Sequence, residues 1–106
     1  MTTYIEVRTT TDSRDSAMLI AQTIVTKRLA ACVQVSGPIT STYWWQGKIE
    51  QAEEWLCAAK TREDHYQALE QAIKAAHTYE EPEILATAIV TGSAGYLAWI
   101  ERETTS

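Results

Sequence analysis

Thiols, basic clusters and long apolar runs are all scarce in this sequence, and each scarcity excludes a class of protein. The two cysteines, Cys32 and Cys57, are too few for a disulfide framework. No Cys-x-x-Cys pair is present, which removes the usual structural zinc site. Nine basic residues are scattered singly or in pairs, and fourteen acids outnumber them for a net charge of −5. Nucleic-acid affinity comes mainly from counterions released by clustered Lys and Arg, and anionic membrane surfaces attract the same clusters. Neither nucleic acid nor membrane is an expected partner. No apolar run approaches the ~20 residues that span a bilayer. The start, Met1-Thr2-Thr3-Tyr4-Ile5-Glu6, has no basic region and no signal-type apolar core, so a cytoplasmic location is expected. A nucleophile elbow, a P-loop, a dinucleotide fingerprint and a two-histidine zincin helix are all missing as well. The chain therefore reads as a protein that binds, not as an enzyme.

What remains is a globular composition in 106 residues, read as a single domain over 1–106. A domain of this size has a poor surface-to-volume ratio, and assembly with other copies is a direct route to more burial. Tyr4 to Thr10 alternates weakly and is rich in β-branched residues, so it is expected to form a first strand. Thr11-Asp12-Ser13 offers N-cap oxygens for a helix. Ala17, Ala21, Val25 and Leu29, with Ile20 and Ile24 beside them, form its apolar stripe. That spacing predicts a helix from about Ser13 to Ala30.

Cys32-Val33-Gln34-Val35 begins a second strand, which Ser36-Gly37-Pro38 interrupts as a bulge or bend. Ile39 to Trp45 is a dense run of strand formers, and Gln46-Gly47 supplies a two-residue turn. Lys48-Ile49-Glu50 leads out, and Glu53 to Lys60 forms the return strand. Glu50, Glu53 and Glu54 are expected to face water or pair with Lys48. Carrying the turn register back puts Cys57 opposite Ser36, with Cys32 four residues further on, about 13 Å by strand rise. A disulfide needs Cα atoms within about 7 Å, so no internal bridge is expected, and Cys57 reads as an inert buried thiol. Thr61-Arg62-Glu63-Asp64 has the composition of a second helix start. Tyr66, Leu69, Ile73 and Ala76 give that helix its face, ending near His77. After a loop held by Pro82, Ile84 to Val90 is almost wholly apolar and predicts a buried strand. A last helix is expected from about Ala94 to Glu103.

This order is β-α-β-β-α-β plus a terminal helix. It predicts an α+β ferredoxin-like βαββαβ sandwich with a long hairpin between the second and third strands. Tyr43, Trp44 and Trp45 near the hairpin tip exceed what a two-helix core can cover. Exposed apolar patches of that kind mark interfaces, so these three residues are expected at an interface between copies.

Several segments resemble the divalent-cation-tolerance (CutA) family: Leu29-Ala30-Ala31-Cys32-Val33, Tyr43-Trp44-Trp45-Gln46-Gly47-Lys48-Ile49-Glu50, Lys60-Thr61-Arg62, His77-x-Tyr79-x-x-Pro82-Glu83-Ile84 and Tyr96-Leu97-x-Trp99. They run in order from about Tyr4 to Arg102. The resemblance implies a homotrimer joined through the long hairpins, a PII-like architecture with a cleft between subunits, and a role in tolerance of divalent metals, copper above all. The copper site proposed in the family's bacterial type member uses a cysteine at the end of the first strand and two adjacent histidines at the end of the second helix. Here those positions hold Thr9, Ala76 and His77.

Two candidate sites follow. His77, with Glu80 and Glu83, is the donor set available to a divalent cation such as copper; the structural alternative for His77 is to cap the second helix. Lys60, Arg62 and Tyr79 form the second set, expected to line the cleft between subunits and suited to a small anionic ligand of a PII-like sensor.

Overall fold

A computed structural model describes residues 2–105. The chain runs β1 (Tyr4–Thr11), α1 (Arg14–Thr26), β2 (Cys32–Trp45), β3 (Lys48–Arg62), α2 (Tyr66–Ala76), β4 (Ile84–Ala88) and α3 (Ala94–Glu103). The four strands form one antiparallel sheet in the order β2-β3-β1-β4. This is the ferredoxin-like order expected of the sequence.

Alternation along the strands decides which residues meet the helices. Ile5, Val7, Thr9 and Thr11 of β1 stand opposite Thr61, Ala59, Cys57 and Trp55 of β3. All but Trp55 are buried, and Trp55 packs against the core from its rim. Ala17, Ile20 and Ile24 of α1 and Leu69, Ala72 and Ile73 of α2 cover this face. Full burial of each large aliphatic side chain contributes roughly 1.5–3 kcal/mol. The other face of the sheet carries Glu6, Arg8 and Thr10 of β1 and Glu54, Lys60 and Arg62 of β3. α3 docks at one end of that face, where Arg62 bonds Thr104.

The start of α1 is as expected: the Ser13 hydroxyl accepts from the Ser16 backbone N–H at 3.1 Å. Its end is not. The helix stops at Thr26, and Arg28 takes φ 59°. The Leu29 N–H then bonds the Ile24 carbonyl at 3.0 Å and the Arg28 N–H bonds Val25 at 2.9 Å. This is a Schellman closure. Val25, expected in the apolar stripe, is 40% exposed, because a row of every fourth residue drifts off the face that Ala17, Ile20 and Ile24 bury.

The hairpin is longer and more regular than the sequence suggested. β3 runs unbroken from Lys48 to Arg62, and Trp45 pairs with Lys48 at the tip. Gln46 (φ 50°) and Gly47 (φ 81°) both take positive φ, the geometry of a type I′ turn. A one-residue bulge at Gly37-Pro38 shifts the register, so Cys57 faces Val35 and not Ser36. A Cβ on Gly37 would come within 2.6 Å of the Trp55 ring, which is why the bulge holds a glycine. Both cysteines are free. Arg62 ends the strand instead of starting a helix, and a 3₁₀ turn at Glu63–His65 leads into α2.

β4 corrects another expectation. It is an edge strand that, among the described residues, pairs with β1 alone, and four of its five residues are exposed. Its apolar composition meets no second neighbour within one copy.

Candidate functional site

The bulge at Gly37-Pro38 separates the distal hairpin, which carries Tyr43, Trp44 and Trp45, from the part of β2 whose Val33 and Val35 pack against the core. The loop 77–83 after α2 comes back toward the distal hairpin. Between them lies a groove of about 780 Å³. Tyr43, Trp44 and Trp45 of the hairpin form one wall, Tyr79, Glu80 and Glu83 the other, with Thr10 and Glu54 between. The groove thus joins the expected interface rings to part of both expected binding sets. The rings stay accessible, Trp44 most of all at 71%.

His77 fixes the loop. Its Nε2 is 2.8 Å from the Thr10 carbonyl, and its Nδ1 accepts the Tyr79 backbone N–H at 3.0 Å. A carbonyl can only accept and a backbone N–H can only donate. The ring is therefore the tautomer with hydrogen on Nε2, and both nitrogens are engaged. The Tyr79 ring follows at 4.9 Å between centroids. His77 stands at the C-cap of α2, where its backbone N–H bonds the Lys74 carbonyl at 3.4 Å, and its ring adds a cross-link from there to the end of β1.

Tyr79 in turn donates its hydroxyl to Glu54 Oε2 at 2.8 Å. Burial, and next this bond to a carboxylate, push the Tyr79 phenol far above its ordinary range, so it remains a neutral donor. Glu54 is only 7% exposed. That corrects the expectation that it faces water. Sequence reading missed it because Glu50, Glu53 and Glu54 look like one solvated run. The only available signal was parity: Glu54 shares a β3 face with Lys60 and Arg62, while Glu53 does not.

Lys60 and Arg62 lie elsewhere. Lys60 Nζ is 3.1 Å from Glu6 and donates to Gln34 at 2.6 Å. Arg62 donates to the Thr104 hydroxyl at 3.0 Å and carbonyl at 3.1 Å, and stands 3.4 Å from Asp64. From Glu54 to Lys60 is six residues of strand, about 20 Å. Within one copy these two cations do not reach Tyr79.

Within one copy the described residues do not complete a site for the metal that the sequence resemblance implies. His77 has no free nitrogen. Thr9 points into the core, where its Oγ1 is buried without a partner among the described residues. Nowhere among the described residues do three His, Cys, Asp or Glu side chains converge to hold an ion. Three donors are the least that even an open transition-metal site uses.

The model of the family described as CutA1 divalent ion tolerance protein matches residues 5–103. The chain is 38% identical over 100 residues to Protein CutA 1, chloroplastic, of Oryza sativa subsp. japonica, which takes in 94% of this chain and 56% of that protein. It is 39% identical over 95 residues to the divalent-cation tolerance protein CutA of Thermus thermophilus, covering 90% of this chain and 92% of that one. It thus spans little more than half of the plant relative and nearly all of the bacterial one. Among solved structures, CutA1 from Oryza sativa superposes with a TM-score of 0.95 at 36% identity, covering 98% of this chain and 95% of the other. CutA from Xylella fastidiosa superposes with a TM-score of 0.94 at 36% identity, covering 96% and 98%.

Proposed function

This chain belongs to the CutA1 divalent ion tolerance protein family, and from that premise we propose that it works as a homotrimer in divalent metal ion tolerance, copper included, by binding and not by catalysis. The observation that carries the assembly is the hairpin. Tyr43, Trp44 and Trp45 stand 41, 71 and 48% exposed on an arm that its own core cannot cover. The number three comes with the family resemblance. The unit that assembles is read as one domain over 1–106, and its proposed location is cytoplasmic.

Light scattering at micromolar concentration tests the assembly. The expected mass is three times 11.9 kDa; a single-copy mass sinks the proposal. Titration calorimetry with Cu(II) and Zn(II) tests the metal part. Because both His77 nitrogens are engaged, His77→Ala is expected to titrate like the unsubstituted protein, with metal contacts left to the Glu80 and Glu83 carboxylates. Loss of copper binding in His77→Ala would show instead that the ring leaves its latch for the metal. No heat from either ion with the unsubstituted protein would remove direct binding from the proposal. Cell fractionation decides the location.

A further inference from the structure

We propose that the groove between the hairpin and loop 77–83 is a binding site for a small organic cation, an ammonium or guanidinium group seated on Glu54 between aromatic rings. The argument starts from an uncompensated charge. Glu54 is more than nine-tenths buried, lines the groove, and takes part in no ion pair among the described residues. Its one hydrogen-bond partner there is the Tyr79 hydroxyl on Oε2, a neutral donor. Burying a carboxylate without a counter-ion is costly, and the cost persists unless something cationic arrives.

Among the described residues of one copy, nothing in the groove supplies that cation. Its lining contains no Lys, Arg or His, whereas Glu80, Glu81 and Glu83 add further negative charge. An anionic ligand is repelled there. A neutral ligand leaves Glu54 as it was. A transition metal finds neither three converging donors nor a phenolate, since Tyr79 is held neutral. An organic cation meets each condition. Tyr43, Trp45 and Tyr79 offer ring faces that attract cations electrostatically. The volume suits a small molecule. This inference stands apart from the metal role, which the copper titration decides separately.

The test is calorimetry and tryptophan fluorescence on the assembled protein. The probes are choline, methylguanidinium and 3,3-dimethylbutanol, the uncharged carbon isostere of choline. Binding of at least one cation is expected, with a change in tryptophan emission, and with the isostere at least tenfold weaker than choline where choline is the binder. In Glu54→Gln the amide still accepts from Tyr79, so mass and melting should hold while cation affinity falls roughly tenfold or more. Equal affinity for choline and its isostere would overturn the proposal, as would Glu54→Gln binding the cation unchanged. Silence with both cations would overturn it too, as happens if a neighbouring copy fills the groove. The probe comparison uses the unsubstituted protein, so it decides the matter even if Glu54→Gln does not fold.

Discussion

Thr9 and Cys57 face each other across β1 and β3 on the buried side of the sheet, and each makes a measurable prediction. Thr9 Oγ1 has no hydrogen-bond partner among the described residues. A buried hydroxyl left unpaired costs about 1–3 kcal/mol, and valine has nearly the same shape without the polar atom. Thr9→Val is therefore expected to stabilise the fold by about 1 kcal/mol, read as a higher urea midpoint at unchanged slope. A lower midpoint would mean that the hydroxyl has a partner such as a buried water. Cys57 is 1% exposed and donates its S–H to the Ala17 carbonyl at 3.4 Å. Burial pushes its thiol from 9.0 up to about 11. The folded state holds this proton more tightly than the unfolded chain does. Its contribution is therefore complete below pH 9 and is lost as pH rises toward 11, at up to about 1.4 kcal/mol per pH unit. Urea melts at pH 8 and 10.5 should show this loss, and Cys57→Ala, though less stable at pH 8, should fall less between them. Equal slopes would assign the alkaline loss to other groups. Of this pair the sequence revealed the inert thiol, through its place on an apolar strand face. It did not reveal the orphaned hydroxyl, because a Thr-Thr-Thr run carries no mark of which oxygen the core will enclose. Glu54 escaped in the same way: its contact with Tyr79 spans a separation in sequence that no local pattern encodes.

At the scale of elements, period was a sound guide, and the ends of α2 and α3 fell where the sequence put them, whereas the end of α1 did not. α2 was legible because Leu69 and Ile73 recur on one face and are buried there, and α3 because Tyr96, Leu97, Trp99 and Ile100 gather in it, with Ile100 buried. The end of α1 was not, because a left-handed closing residue is usually glycine and here it is Arg28. The same apolar stripe simply continued past it. This mismatch is itself testable. A non-glycine residue in the left-handed region costs roughly 1–2 kcal/mol. Arg28 recovers part of that through Glu103, whose carbonyl and carboxylate it reaches at 3.0 and 3.1 Å. That ion pair is exposed, and such pairs contribute about 0–1 kcal/mol. Arg28→Gly is therefore expected to raise stability by about 0.5 kcal/mol, measured by chemical denaturation. A clear loss would show that the tie to the end of α3 outweighs backbone strain. The hairpin was legible in its turn and its bulge, from Gln46-Gly47 and Gly37-Pro38. Its exact register was not, since the single extra residue in β2 moves every pairing beyond it by one.

The whole molecule is stretched by its hairpin. It measures 44 × 25 × 22 Å, with a radius of gyration of 14.3 Å against about 13 Å for a compact chain of this length. Both edges of its sheet, β2 and β4, are open in one copy. Sheet edges that stay in water are usually blunted by charge, proline or a bulge. β4, Ile84-Leu85-Ala86-Thr87-Ala88, has neither charge nor proline, and Leu85 is 59% exposed. If the proposed trimer covers this edge, the composition that read as a buried strand fits the assembly and fails only for the single chain. The Ile89 N–H donates to the Tyr4 carbonyl at 2.9 Å. By antiparallel alternation the Thr87 and Leu85 amides also turn toward β1, which leaves those of Ala86 and Ala88 on the open edge. If the proposed trimer buries this edge, the Ala86 and Ala88 amides will exchange slowly in the assembled protein. A Trp44→Ala, Trp45→Ala variant that scatters light as a single copy should then release them, while Val7 in the sheet centre stays protected. Exchange of Ala86 and Ala88 at open-chain rates in the assembled protein would confine the seam to the hairpin rings and leave β4 a free edge.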